Sequence, residues 1–500
     1  MSTRTSNGHV IDEYVPLKAS EIVLCSNGDP YSCILNQTDI KTNANKFYIM
    51  QVLREDGLNP SYYTYIRYGR IGEKGILSYK SEGTKEDNIS KFESQFKTKT
   101  KNNWSDRGDF VPYKGKYFLS KISEKISIDT PTIQASPGQA LPSKALPAAL
   151  VPYHDDVVNF LSLISDKTML RNAMIDMEID IEKMPLGKIN VDHLHKARDL
   201  VLDLQKRKST MSEGDIQDIS SLYYTYVPYS CGRSKPPVIS SADQISKCLQ
   251  RLEDLENISI NVRAVEGPEV TGNPLVDLYS SLKTEITPLD PGSKVYGYIR
   301  DYIKNTHGGT HRFKLELFKI FEIHRPEGRS RFNATFGKTQ NRELLIHGSR
   351  MCNWVSILKN GLLLDPSKIG AVITGKMFGY GIYWANSFSK SAQYCGHSGG
   401  RNREIICFTL AEVALGNEYQ LKSSESSMTG AKLKKYGDYQ SVHGMGKHIP
   451  SKYVEHDGMK IPVGKLERRG DDCCLQYDEK IVYHPDQFDL RYIVLAEMNY

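Results

Sequence analysis

The chain has 500 residues, of which 39% are hydrophobic and 25% charged, and its formal net charge is +6. At roughly 150 residues per domain this predicts about three domains, and the composition excludes an intrinsically disordered chain. No apolar run approaches the ~20 residues of a membrane span. The first fifteen residues are polar and lack the order of a secretory signal, so neither a membrane protein nor a secreted one is expected.

The nine cysteines are odd in number and irregular in spacing, and no C-x-x-C occurs. That argues against a disulfide framework and against a zinc finger. The vicinal pair Cys473-Cys474 has no second pair of ligands nearby, and no metal is expected. Residues 41–118 hold 15 Lys and Arg against 9 Asp and Glu, so the rest of the chain balances and the whole surplus sits in one segment. Such a basic segment is the footprint of a polyanion partner or simply a solvated face.

Residues 1–40 are polar and irregular and read as a flexible tail. Phe47 to Leu53 and Tyr62 to Tyr68 read as two strands, with Glu55-Asp56-Gly57-Leu58-Asn59-Pro60 as the turn between them. A polar helix follows from Lys85 to Lys99, so residues 41–118 form a small antiparallel sheet with one helix. Residues 119–149, with Pro131, Pro137, Pro142 and Pro147, have linker composition.

From Asp155 the apolar period becomes 3.6. Val157, Phe160, Leu161 and Ile164 share one helix face. Asn190 caps a helix that turns Val191, Leu194, Ala197, Val201 and Leu204 inward. Ser241 and Gln244 form a capping box ahead of Ile245, Leu249 and Leu252. Residues 150–285 are expected to be a helical bundle. Residues 286–500 alternate strand and helix patterns and are expected to be an α+β domain, with strands at Phe313–Leu317, Glu343–His347, Ile405–Glu412, Lys480–Tyr483 and Asp489–Met498.

The glycines at 375, 379 and 381 precede an aromatic strand and do not fit a dinucleotide fingerprint, and no P-loop occurs. A nucleotide would need another architecture. Three stretches define one. They are Leu345-Ile346-His347-Gly348-Ser349-Arg350; Met377-Phe378-Gly379-Tyr380-Gly381-Ile382-Tyr383-Trp384-Ala385-Asn386, running on to Ser389-Lys390-Ser391-Ala392-Gln393-Tyr394-Cys395; and Tyr477-Asp478-Glu479-Lys480-Ile481-Val482-Tyr483. Singly, each reads as strand-end or core chemistry. Their order and separation are specific.

In these stretches the chain resembles the poly(ADP-ribose) polymerase family, and the likeness runs from Asn45 to Tyr500. His347, Tyr383 and Glu479 match the family's His-Tyr-Glu triad. Tyr68-Gly69-Arg70 and Lys101-Asn102-Asn103-Trp104 resemble its WGR domain, and Pro185-Leu186-Gly187-Lys188 its regulatory helical domain. The resemblance implies a multidomain protein: an α+β WGR-type module, an all-α helical regulatory bundle and an α+β ADP-ribosyltransferase catalytic domain. It implies NAD+ as substrate, with no metal. DNA strand breaks, acceptor proteins including the enzyme itself, and poly(ADP-ribose) are the implied partners, and a nuclear location follows from them.

By the same resemblance Gly348 holds the nicotinamide carboxamide with help from the Ser391 hydroxyl. Tyr383 and Tyr394 sandwich the ring, and His347 donates to the adenosine-ribose 2′-hydroxyl. Glu479 binds the nicotinamide ribose and stabilises the developing cation. Ser349 and Lys390 complete the NAD+ site. Tyr68 and Arg70 carry the DNA contact, and the bundle blocks NAD+ until DNA loosens it. Tyr68 replaces the Trp of W-G-R, Trp384 and Asn386 replace the usual Phe and Asp, and Leu363 stands where many relatives carry Arg. Three other outcomes stay open: a mono-ADP-ribosyltransferase of the same fold, a catalytically silent DNA-end-binding scaffold, and an NAD+ glycohydrolase.

Overall fold

The protein is described from a computed structural model covering residues 5–6, 9–15, 21–55, 59–71, 73–120, 154–181, 184, 186, 189–231, 234–266, 271–364, 377–396, 403–469 and 472–499. The linker expected over 119–149, most of the Pro185–Lys188 motif, and Gly375 and Lys376 fall almost wholly outside these residues. The chain divides into two compact units. One comprises Met1–Pro131 and Met174–Ser259, the other Thr132–Ala173 and Ile260–Tyr500.

In the first unit the expected hairpin is present as the strands Ala44–Glu55 and Ser61–Arg70, paired in register from Lys46 with Arg70 to Glu55 with Ser61. The sheet is six-stranded and extends through Ile76–Lys80 on one side and Ser32–Asp39 and Phe118–Ser120 on the other. Helix Lys85–Thr100 starts at a capping box between Thr84 and Asp87. It lays Phe92 and Phe96 edge-on against Trp104, at 4.8 and 5.0 Å between ring centroids. Trp104 of the Lys101–Trp104 motif is therefore core.

The expected flexible tail over residues 1–40 is corrected here. Ser32–Asp39 is an interior strand of the sheet, paired over eight residues with Ala44–Glu55, and Leu35 is fully buried. The Asp12 carboxylate is buried against the Arg67 guanidinium at 2.8 Å. Polar residues hid this strand from its composition. Asn36 donates to the Ser120 hydroxyl at 2.8 Å, and Thr38 bonds Asn45 at 3.1 Å, so partners on neighbouring strands offset the burial of these polar side chains.

The helical stretch contains the expected elements. Asn190 accepts from the N–H groups of Asp192 and His193 and starts Val191–Arg207, while Ser241 and Gln244 exchange hydrogen bonds ahead of Ala242–Val265. Helix Ala242–Val265 runs across the boundary between the two units. Val191–Arg207 and Glu213–Tyr226 belong to the first unit, Asp155–Ile164 and Pro274–Leu282 to the second. Val157, Phe160, Leu161 and Ile164 are buried with Leu278, Leu282, Phe321 and Trp354, so the helical and mixed α+β segments share a core there.

The second unit is built on a sheet whose order is Glu418–Leu421, Ser441–Gly444, Glu479–Val482, Ile382–Ala385, Arg342–Ser349, Arg403–Ala414, Phe488–Asn499, Lys314–His324 and Glu285–Pro288. Arg403–Ala414 and Phe488–Asn499 carry near-continuous apolar runs because hydrophobic clusters cover both faces of the sheet. The three motif stretches, far apart in sequence, lie on three adjacent strands. Ile382–Ala385 pairs with Glu479–Val482 on one side and meets Arg342–Ser349, with Ile346 opposite Ala385, on the other.

Candidate active site

Strand pairing brings the three motif residues together. The His347 Nδ1 lies 3.0 Å from the Tyr383 carbonyl oxygen. A carbonyl only accepts, so Nδ1 carries the hydrogen and Nε2 of the neutral ring is an acceptor. The ring meets Trp384 edge-on at 5.8 Å, and Trp384 is buried against Phe488.

Tyr383 is held at both ends. Its hydroxyl donates to the Gly379 carbonyl at 2.8 Å and accepts the Phe378 N–H at 2.9 Å. Burial pushes its phenol well above the ordinary range, and Glu479 is among the neighbours that add to the rise. Gly379 has φ +74°, and a Cβ there would stand 1.9 Å from the Met428 carbonyl, so only glycine permits this turn.

Glu479 is 8% exposed. Its carboxylate lies 2.8 Å from the Lys390 ammonium, which also donates to the Tyr477 carbonyl at 3.1 Å. Burial lowers the Lys390 ammonium below its usual range, and the charge of Glu479 only partly offsets this. The carboxylate thus faces the same space as Tyr383 and Lys390.

Lys390 and Ser391 sit on the short helix Phe388–Ala392. That helix comes so close to Gly348 that a Cβ on Gly348 would stand 2.2 Å from the Ser391 carbonyl and 2.9 Å from Cys395 Sγ. Ser391 is buried, with its hydroxyl 3.5 Å from the Ile346 carbonyl. Tyr394 closes the turn after the helix through its N–H to the Ser391 carbonyl, and its side chain is open to solvent, the residue being 59% exposed. The Ser349 hydroxyl accepts from Asn353 at 3.0 Å and its carbonyl accepts from the Trp354 indole at 3.3 Å, contacts that shape the following turn. Leu363 is exposed.

In the first unit Tyr68 is 38% exposed and stacks on Tyr48 at 5.5 Å and 23°. The Lys99 ammonium lies over the Tyr48 ring at 4.7 Å. Arg70 points inward: its guanidinium donates to the Asn43 carbonyl and side chain at 2.8 and 3.0 Å and to the Ser234 carbonyl at 2.9 Å.

Three family profiles match the chain: the poly(ADP-ribose) polymerase catalytic domain over residues 293–498, the poly(ADP-ribose) polymerase regulatory domain over 153–279, and the WGR domain over 31–111. Poly(ADP-ribose) polymerase 2 of Arabidopsis thaliana is 32% identical over all of this chain and 78% of its own length. The chain belongs to the poly(ADP-ribose) polymerase family. Poly(ADP-ribose) polymerase 2 of Homo sapiens is 32% identical over 96% of the chain and 81% of its own length. Poly(ADP-ribose) polymerase 1 of Gallus gallus is 33% identical over all of the chain, which spans 48% of that relative. The WGR, regulatory and catalytic domains give the multidomain α+β organisation of this family. The protein is an NAD+ ADP-ribosyltransferase, and its catalytic domain uses NAD+ as substrate to modify proteins. Among the described residues no helix is long and apolar enough to cross a membrane.

Reading the motifs alone missed what surrounds Glu479. Asp478 and Lys480 are buried with His443 and Asn386, and the half-buried Glu418 meets Lys480. The available signal was a charge on either side of the motif carboxylate, at the start of an otherwise apolar strand.

Proposed function

We propose that His347, Tyr383 and Glu479 act together on NAD+ in a poly(ADP-ribose) polymerase activated by DNA strand breaks. The observation that carries this reading is the buried Lys390–Glu479 pair, which lies beside Tyr383. In the reaction the bond between nicotinamide nitrogen and ribose C1′ breaks, and nicotinamide leaves with the electron pair. An acceptor oxygen bonds to C1′ and gives up its proton. The transition state resembles an oxocarbenium ion, as in glycoside hydrolysis.

Glu479 accepts from the nicotinamide-ribose 2′-hydroxyl and offsets the developing positive charge. In a site this dry such a carboxylate contributes several kcal/mol, to order of magnitude. Lys390 holds the carboxylate in place through the 2.8 Å ion pair, on the side of the acceptor or pyrophosphate. Tyr383 and Tyr394 sandwich the nicotinamide ring. Gly348 offers its backbone to the carboxamide, with the Ser391 hydroxyl as third contact, and the 2.2 Å limit on a Cβ supports a backbone brought close for that purpose. With Nδ1 on the Tyr383 carbonyl, His347 takes the adenosine-ribose 2′-hydroxyl at Nε2 as acceptor while neutral, and as donor once protonated. Ser349 shapes the turn beneath this site. No metal takes part.

Tyr68 stacks on a sugar or base at a DNA end, backed by Tyr48 and the Lys99 charge. Arg70, expected at a phosphate, does so only by giving up bonds within its own unit. The acceptors are proteins, including the enzyme itself, and growing poly(ADP-ribose), in the nucleus where broken DNA is found.

The test is incubation with labelled NAD+, with and without nicked DNA. The expected result is a ladder of products that needs the DNA and is absent from Glu479→Gln. A single band would make the enzyme a mono-ADP-ribosyltransferase, free ADP-ribose a glycohydrolase, and no reaction a scaffold.

A further inference from the structure

Glu479 occupies the last rung of its strand on both sides. It pairs with Ala385, the final residue of Ile382–Ala385, and with Gly444, the final residue of Ser441–Gly444. Terminal rungs are where sheet ladders open most readily. A carboxylate that must meet one ribose hydroxyl would lose precision there.

The two neighbours of Glu479 in the chain counter this. Lys480 is the next residue of the strand and points to the opposite face from Glu479, and Asp478 immediately precedes the strand. Asp478 is buried and gathers donors from three separate segments. These are the Gly446 N–H at 2.7 Å, the Arg469 guanidinium at 3.2 Å and the Asn386 amide at 3.4 Å, and the His443 Nε2 lies 2.9 Å away without hydrogen-bond geometry. His443 and Asn386 belong to or directly follow the strands that flank Glu479, so Asp478 ties all three together just past the last rung. Burial alone would raise the Asp478 carboxyl, but the His443 contact and the Gly446 N–H hold it below its usual range, so it accepts as an anion. Lys480 is buried and reaches Glu418, two strands away, at 2.5 Å, and His443 lies 3.7 Å from the same carboxylate. His443 thus bridges the two pairs.

We infer that Asp478 and Lys480, with His443 between their partners, form a positioning clamp that fixes the end of the catalytic strand so that Glu479 addresses the ribose. The inference rests on the assignment of Glu479 made above. None of the three touches substrate. They act through Glu479, while Lys390 holds its carboxylate directly. A buried ionic cluster of this kind adds little net stability over apolar packing, so a geometric role explains it better than a stabilising one.

The experiment is a double-mutant cycle on the full chain, reading nicotinamide release from labelled NAD+, NAD+ affinity by calorimetry, and thermal melting. Asp478→Asn keeps an acceptor for the Gly446 N–H but removes the charge. It should lower kcat by about 10- to 100-fold, the scale of an ångström of misplacement, with NAD+ affinity unchanged. In a Glu479→Gln background it should lower kcat no further. Independent, multiplying losses would overturn the clamp, as would a loss confined to NAD+ affinity. If Glu479→Gln itself turns over at the full rate, the assignment of Glu479 fails and the clamp with it. His443→Gln, which removes the ring lying beside both carboxylates, runs the same cycle should Asp478→Asn not fold, with the same outcomes deciding.

Discussion

The Lys390 ammonium and the Glu479 carboxylate form a buried ion pair at 2.8 Å, joining a short helix to the end of a strand nearly ninety residues away. Removing one partner of such a pair strands the other charge in a dry site, at a cost of roughly 3–5 kcal/mol. Lys390→Met should therefore lower the melting temperature and abolish transfer. Lys390→Met with Glu479→Gln should regain much of the stability and none of the activity. Melting curves of the two variants decide this, and equal destabilisation would mean that the pair does not hold the segments together.

Gly348 has no room for a side chain. A Cβ would stand 2.2 Å from the Ser391 carbonyl, and neither backbone can give way by a full ångström without parting helix from strand. Gly348→Ala should cost about 1–3 kcal/mol of stability. If Gly348 holds the carboxamide as proposed, the substitution should also weaken NAD+ binding more than the loss of stability accounts for. Calorimetry with NAD+ separates the two effects.

Glu343 is 5% exposed, and its Oε1 has no hydrogen-bond partner among the described residues. Burial pushes its carboxyl up to about 7 from an ordinary 4.5; Glu418 and Asp478 reinforce the rise, and Lys480 and Lys460 oppose it. Between those two pH values the folded protein keeps a proton that the unfolded chain has released. Stability from this group is thus fully present below about 4.5 and is lost as pH rises through 7, a change of roughly 3 kcal/mol. Glu343→Gln should leave stability nearly unchanged near pH 4.5 and raise it above pH 7. Denaturation midpoints across that range check the sign.

Tyr68 and Arg70 should separate in their effects. Tyr68→Ala removes a stacking face and should weaken DNA-end binding by about 1–3 kcal/mol without altering its salt dependence. Arg70→Ala removes bonds to Asn43 and Ser234 and should show first as a lower melting temperature. Anisotropy titrations at two salt concentrations test both. A flattened salt dependence in Arg70→Ala, at full stability, would return Arg70 to a phosphate contact.

Much of the fold was legible because local rules are written in local residues. Asn190 and the Ser241–Gln244 box mark helix starts, and the apolar runs of the last strands announce a sheet buried on both faces. The strand Ser32–Asp39 was not legible. Its buried Asn36 and Thr38 look like loop residues until Ser120 and Asn45 arrive to pair with them.

The sequence by itself determined the chemistry: which side chains exist, in what order, and that an imidazole, a phenol and a carboxylate sit in three recognisable stretches. Only the tertiary structure decided that Ile382–Ala385 pairs with Glu479–Val482 and meets Arg342–Ser349, that Glu479 ends its ladder, and that Asp478, Lys480 and His443 close around that end. The reason is physical. Helix caps and apolar periods act over a few residues. The partner of a buried charge is chosen by strand pairing across tens of residues, and no local pattern encodes that pairing.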